Sequence, residues 1–292
     1  MENNSNRKNI VIDILIIVLL VVMIILAIMI GFKNNKTKED NSGKDDTVVR
    51  VDASLATQPL MDAYVDNLKD FNLNKDYTNT DPAYTKLING ETDLIIVTEP
   101  SSDELKRADE AGVELEVTPV VNEGFVFFTN INNPVNGLSL KEIQDIYTDK
   151  ITNWNQVGGE DAKIIAYQRP ENSGSQTGML SLVMKDKKIK EPKTEEYIVS
   201  MAGIIDAVAN YDNSKDSIGY SYYYYATTMY GNENIKFLAV ADVSPNHDTI
   251  KDESYPLITA YYIVTLKDTE NGTVSKVKNA MLGKDGQKIA RN

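Results

Sequence analysis

The residues best suited to chemistry lie in Arg169-Pro-Glu-Asn-Ser-Gly-Ser-Gln-Thr177. Arg169 brings a planar, permanently charged fork that matches a tetrahedral oxyanion. Ser173, Gly174 and Ser175 are small enough for backbone N–H groups and hydroxyls to crowd around such an ion. The segment follows an expected strand over 163–167 and opens an expected helix over 175–184. It therefore lies at a helix N-terminus, where the dipole adds about half a positive charge. Glu171 is placed to orient the guanidinium by an ion pair. A second turn of this kind is Asp52-Ala-Ser-Leu-Ala-Thr-Gln-Pro59, where Ser54, Thr57 and the N–H of Gln58 are candidate donors. Ordinary loop and N-cap chemistry, with Thr57 as the cap, accounts for either turn taken alone.

Other chemistries are excluded by composition. The chain has no Cys, which removes disulfides, thiolate nucleophiles and Cys-ligated zinc. Its one His, His247, rules out multi-His metal sites and lies in Ser-Pro-Asn-His-Asp, the composition of a surface turn. No Walker A loop, dinucleotide fingerprint or G-x-S-x-G elbow is present, and no spaced carboxylate pair stands out. The expectation is a protein that is not an enzyme and holds no metal or other cofactor. Acids outnumber Lys and Arg by 43 to 30, for a net charge of -13, which argues against a nucleic-acid partner.

The elements that must position these residues alternate between strand and helix signals. Strands are expected over 48–51, 93–98, 125–129, 163–167, 217–225 and 257–265. Pro59 suits the start of a helix carrying Leu60, Ala63, Tyr64 and Leu68. Asp81 as N-cap and Pro82 as first residue open another, which Gly90 closes. Ser139 to Glu142 reads as a capping box, and 276–290 as a terminal helix. The tyrosines at 220, 222 to 225 and 230 are expected to alternate between core and surface. The fold class is α/β.

The N-terminus has a different character. Residues 14–30 contain no polar side chain, enough for a membrane-spanning helix, and no small-x-small cleavage site follows. Residues 1–32 are therefore expected to be an uncleaved signal anchor, and 33–47 a flexible polar tether reaching roughly 20 Å. From residue 41 onward the charge is -14, so the acidity belongs to the soluble part.

Residues 122–184 resemble the central region of phosphate ABC-transporter substrate-binding proteins. The likeness rests on Asn133-Pro-Val135, Leu138-Ser-Leu-Lys-Glu-Ile143, Asp145-Ile-Tyr-Thr148, Lys150-Ile-Thr-Asn-Trp154, Val157-Gly-Gly159 and Arg169-x-x-x-Ser173-Gly174-Ser175. Residues 52–60 resemble the family's first anion loop, and 90–102 its G-x-x-D strand. The resemblance implies a two-lobed type 2 periplasmic-binding-protein clamshell, with lobe 1 at 48–126 plus 236–292 and lobe 2 at 127–235. It implies anion contacts from Thr57 and Gln58 on one lobe and from Arg169, Ser173, Gly174 and Ser175 on the other, and Ser54, Thr80 and Thr98 are further candidates on the first lobe. Two positions depart from the family. Its Gly-Ser-Ser-Gly loop is here Thr80-Asp81-Pro82-Ala83, and its acidic acceptor falls on Thr98, with Glu99 expected on the opposite face of the strand. The implied function is a membrane-tethered extracellular receptor capturing phosphate or a related oxyanion, with ABC permease subunits as partners. The alternative is a surface sensor or assembly protein that keeps the clamshell without transport.

Overall fold

A computed structural model describes residues 47–211, 213–267 and 272–291. The expected anchor over 1–32, and the tether over 33–47 except Thr47, lie outside them. Among the described residues no helix is long and apolar enough to cross a membrane.

The first half is built from right-packed strand and helix repeats. In chain order come β1 (Val48–Ser54), α1 (Gln58–Asn67), β2 (Asn72–Thr78), α2 (Thr80–Ile88), β3 (Leu94–Val97) and α3 (Ser102–Glu110). β1 pairs in parallel with β2 on one side and β3 on the other. β3 is Leu-Ile-Ile-Val, buried at every position. A parallel strand with both faces covered requires that composition. Leu94 and Ile96 join Val49, Val51 and Val277 on one face, whereas Ile95 and Val97 join Ala83, Tyr84 and Leu87 on the other. That is the two-residue period of a strand.

β4 (Leu115–Asn130) then runs for 16 residues. It is followed by β5 (Gly137–Leu138), α4 (Leu140–Ile146), β6 (Ile165–Ala166), α5 (Gly174–Gly178), α6 (Met201–Asn210), β7 (Ser217–Tyr222), β8 (Ile235–Phe237), β9 (Ala239–Val240), α7 (His247–Lys251), β10 (Ile258–Leu266), α8 (Gly272–Leu282) and α9 (Lys284–Ala290). The main sheet has the order β2-β1-β3-β10-β4-β7-β6, with β8 also on β4. The N-terminal part of β4 pairs with β10, and from Phe125 onward it pairs with β7 and β8. One strand thus belongs to both halves of a two-lobed α/β fold. The second lobe has its own core, in which the rings of Phe125, Phe127, Tyr147 and Tyr220 meet at 5.6–6.2 Å.

Several expectations change. The strand over 163–167 shrinks to two residues, and that over 125–129 is the end of β4. The helix over 276–290 is two helices joined at Gly283. β7 is buried at all six positions, so its tyrosines do not alternate with a surface face. It lies between β4 and β6, and Tyr220 and Tyr222 fill one face opposite the small Ser217, Gly219 and Ser221. Asp81 is not the cap of α2: Asn79 is, and the Asp81 carboxylate pairs with Arg107. Thr57 precedes α1 without making a side-chain cap, and Pro59 is the second residue of that helix. His247 is exposed but begins α7, whose cap is Asn246. The capping box from Ser139 to Glu142 forms with both of its bonds.

Phe127 is fully buried at the centre of the aromatic cluster. Phe127→Ala should cost about 3–5 kcal/mol of unfolding free energy in urea titrations. A loss below about 1 kcal/mol would mean that these rings do not form the core.

Candidate functional site

The loop carrying Arg169 is held from behind by backbone bonds. Tyr167 N–H donates to Ile218 O at 3.1 Å, and Gln168 N–H to Glu196 O at 2.8 Å. Arg169 N–H is shared between Gln176 Oε1 and the Tyr220 hydroxyl, each at 3.1 Å. Gln176 lies in α5, and Tyr220 comes from β7. The loop is therefore tied to the helix it opens and to the strand beneath. Ser173 caps α5, its hydroxyl accepting the N–H of Gln176 at 3.3 Å, and the helix continues as a wider turn over Met179–Met184.

Arg169 is 9% exposed, yet its Nε and Nη1 are buried without a hydrogen-bond partner. The ion pair expected with Glu171 does not form, for Glu171 remains at the surface while the guanidinium is inside. Burial pulls the Arg169 pKa down, opposed by the nearby Tyr220, Tyr225 and Tyr197. An arginine nevertheless remains charged at any physiological pH. A buried cation without a counter-charge is unfavourable by itself and becomes favourable when an anion occupies the same space. The Ser175 hydroxyl and the Thr98 hydroxyl are also buried without a partner. All of these groups are hydrogen-bond donors, or become donors by rotating a hydroxyl.

The first lobe meets α5 directly. A Cβ added at Gly174 would lie 2.5 Å from Thr98 Oγ1 and 2.8 Å from Thr80 Oγ1, so only glycine fits between them. Thr98 follows β3, where the Tyr84 hydroxyl bonds its carbonyl at 2.8 Å, and Thr80 is the first residue of α2. From the other side the Tyr222 hydroxyl donates to Gly174 O at 2.7 Å. Two further bonds cross between the lobes. Ser181 Oγ donates to Glu99, and Asn172 Nδ2 donates to Asp103 at 3.2 Å. The lobes are therefore closed against one another. Glu99 does not point away as strand alternation would have it, because β3 has already ended at Val97.

The remaining candidates sit differently. The Thr57 hydroxyl donates to the carbonyl of Ile96 at 2.5 Å and lies 3.0 Å from the Ser54 hydroxyl. It stitches the turn after β1 to β3, two residues before Thr98. Gln58 opens α1. The structure thus brings Thr80, Thr98 and Gly174 together, with Ser173 and Ser175 flanking the glycine. Sequence reasoning did not find Tyr84, Tyr222, Asp103 or Ser181. A run of tyrosines was the only available signal for Tyr222, and the others carried none.

Gly174→Ala should wedge the lobes apart. Small-angle scattering should show a larger radius of gyration, with the thermal unfolding midpoint moving by no more than about 4 °C. An unchanged radius would mean that the threonines yield instead.

A family model described as a PBP superfamily domain matches residues 40–282. The sequence is 24% identical over 246 residues to the phosphate-binding protein PstS of Borreliella burgdorferi, covering 83% of this chain and 87% of that protein. Among solved structures, a protein from Clostridium perfringens, assigned as a phosphate ABC transporter substrate-binding protein and solved with phosphate bound, aligns at a TM-score of 0.67. That alignment has 22% identity over 83% of this chain and 96% of that one. An ABC-type phosphate transport receptor from Vibrio cholerae aligns at 0.64 with 18% identity, over 82% and 96% of the two chains. At these identities the structural likeness speaks for the fold.

Proposed function

This chain belongs to the PBP superfamily, and from that premise we propose that it is an extracytoplasmic solute-binding receptor which captures phosphate, or a related tetrahedral oxyanion, for an ABC importer. The observation that carries the reading is the Arg169 guanidinium, buried with Nε and Nη1 unpartnered. The names of the relatives agree with it.

The capture step follows from the chemistry of the donors. The second lobe offers Arg169, the N-terminus of α5 and the hydroxyls of Ser173 and Ser175. The first lobe offers Thr80 and Thr98, with Ser54, Thr57 and Gln58 lining the neighbouring turn. An ion landing on Arg169 in the open protein keeps part of its hydration, and closure replaces that water with fixed donors from the opposite lobe. The net negative charge of the soluble part does not prevent this, since oriented dipoles and one guanidinium govern the potential at close range. Specificity follows from which donors are left unpaired when the wrong ion enters. No bond in the ligand is made or broken.

In this proposal the apolar segment over 14–30 tethers the receptor to the membrane with its globular part outside, within reach of permease subunits. Delivery then requires that the lobes reopen against those subunits.

Titration calorimetry of the full-length protein with phosphate, sulfate, molybdate and a phosphonate tests the proposal. At least one of them should bind at micromolar concentration or tighter, and Arg169→Ala should weaken it by a hundredfold or more, as expected when one partner of a buried charge pair is removed. The ligand-free variant should unfold at or slightly above the wild-type temperature, because an unpaired buried charge has been removed. Failure of all four ions to bind would overturn the receptor reading, and undiminished binding by the variant would move the site elsewhere.

A further inference from the structure

β4 changes partners after Gly124, pairing with β10 before that point and with β7 from Phe125. Glu123 stands at this change and is 4% exposed. Its Oε1 accepts the N–H of Gly124 at 2.8 Å and, at 3.2 Å, the N–H of Tyr224, just past the end of β7. No Lys, Arg or His among the described residues pairs with it. The titratable groups facing it are tyrosines: Tyr261 from β10, whose buried hydroxyl makes no well-formed hydrogen bond, and Tyr222 and Tyr223 from β7 and beyond. From α7 the neighbour is Ile250, packed so closely on Gly124 that a Cβ there would be 2.6 Å away. Glu253, just past α7, is engaged by Asn122.

The walls of this pocket come from both sides of the bend. Tyr261 belongs to the strand shared with the first lobe and Tyr222 to the second, and their rings meet edge to face at 5.8 Å, both close enough for the Glu123 charge to act on their hydroxyls. Tyr222 also holds Gly174 through its hydroxyl, so the same side chain touches the hinge and the site. Opening of the lobes about this point of β4 would separate those rings and let water reach Glu123.

We propose that Glu123 makes closure of the lobes proton-coupled: the closed protein holds this carboxyl neutral, and ionising it drives the lobes apart. Burial pushes the carboxyl up to about 7, although the two N–H donors and the Tyr261 hydroxyl pull the other way. In an open, hydrated hinge the value falls toward that of an ordinary glutamate. Closure therefore takes up a proton and strengthens as pH falls through about 7. The same sign holds for global stability, whose contribution from Glu123 is full below the ordinary carboxylate value and lost above about 7. The proposal depends on the receptor reading only for its ligand measurement.

Phosphate affinity of wild type and Glu123→Gln, compared at each pH from 5.5 to 8, is the first test. Taking their ratio cancels the titration of phosphate itself. The advantage of the neutral glutamine over wild type should grow with pH, by on the order of tenfold or more between pH 5.5 and 8, single-proton linkage allowing at most about tenfold per pH unit. A flat or inverted ratio overturns the proposal. The second test needs no ligand and no hinge variant. Because the chain has no native Cys, spin labels on Asp109→Cys and Lys188→Cys, one on each lobe, report their separation in the full-length protein. The distance distribution should shift to longer values between pH 5.5 and 8, and a distribution that does not move overturns the proposal. If no phosphate binds to either protein, the receptor reading fails while the spin-label distances still decide the hinge.

Discussion

A positive charge enclosed without a negative partner is the constraint around which the second lobe is arranged. Among the described residues no carboxylate pairs with Arg169, and its main chain is fixed by Gln176 and Tyr220. Folding alone has no reason to retain such a group, because an apolar residue of similar volume would be at least as stable. The surroundings are consistent with that tension. The nearest groups are tyrosines and small hydroxyl residues, and the neighbouring acid, Glu171, stays at the surface. The site retains a deficit of negative charge, which under the proposed function a captured anion makes good.

Closure adds polar contacts that do not belong to the anion. Glu99 accepts from Ser181, and Asp103 accepts from Asn172 and forms an ion pair with Arg107. Arg107 also neutralises Asp81, which would otherwise stand near the start of α2 as an uncompensated negative charge. Acids are abundant in this chain, and Glu99, Asp103 and Asp81 along the seam each have a partner. The seam can then come together around an anion without placing bare carboxylates against it.

Much of this was legible in the sequence. The Arg169 to Ser175 loop was legible as small and cationic residues opening a helix, the capping box at Ser139 formed as read, and the strand expected over 93–98 formed over 94–97. Other features were not legible, for physical reasons. Whether Asp81 caps a helix or pairs with Arg107 depends on where α3 packs, 26 residues further on. The burial of Tyr220 and Tyr222 depends on β7 becoming an interior strand, which no local periodicity records. Glu123 looks like any other acid in an acidic chain until β4 is seen to serve two sheets. Tertiary position made it unusual; composition did not.

The contact of Gly174 with Thr80 and Thr98 has a wider consequence. The clearance between the lobes at this point is fixed by a missing carbon atom, which leaves no slack for a side chain at position 174. Any retuning of the cleft toward a bulkier ion must therefore come from the facing threonines, by trading a methyl group for a hydrogen. The glycine acts as a spacer of zero thickness, and the two hydroxyls opposite it are the adjustable jaws of the gauge.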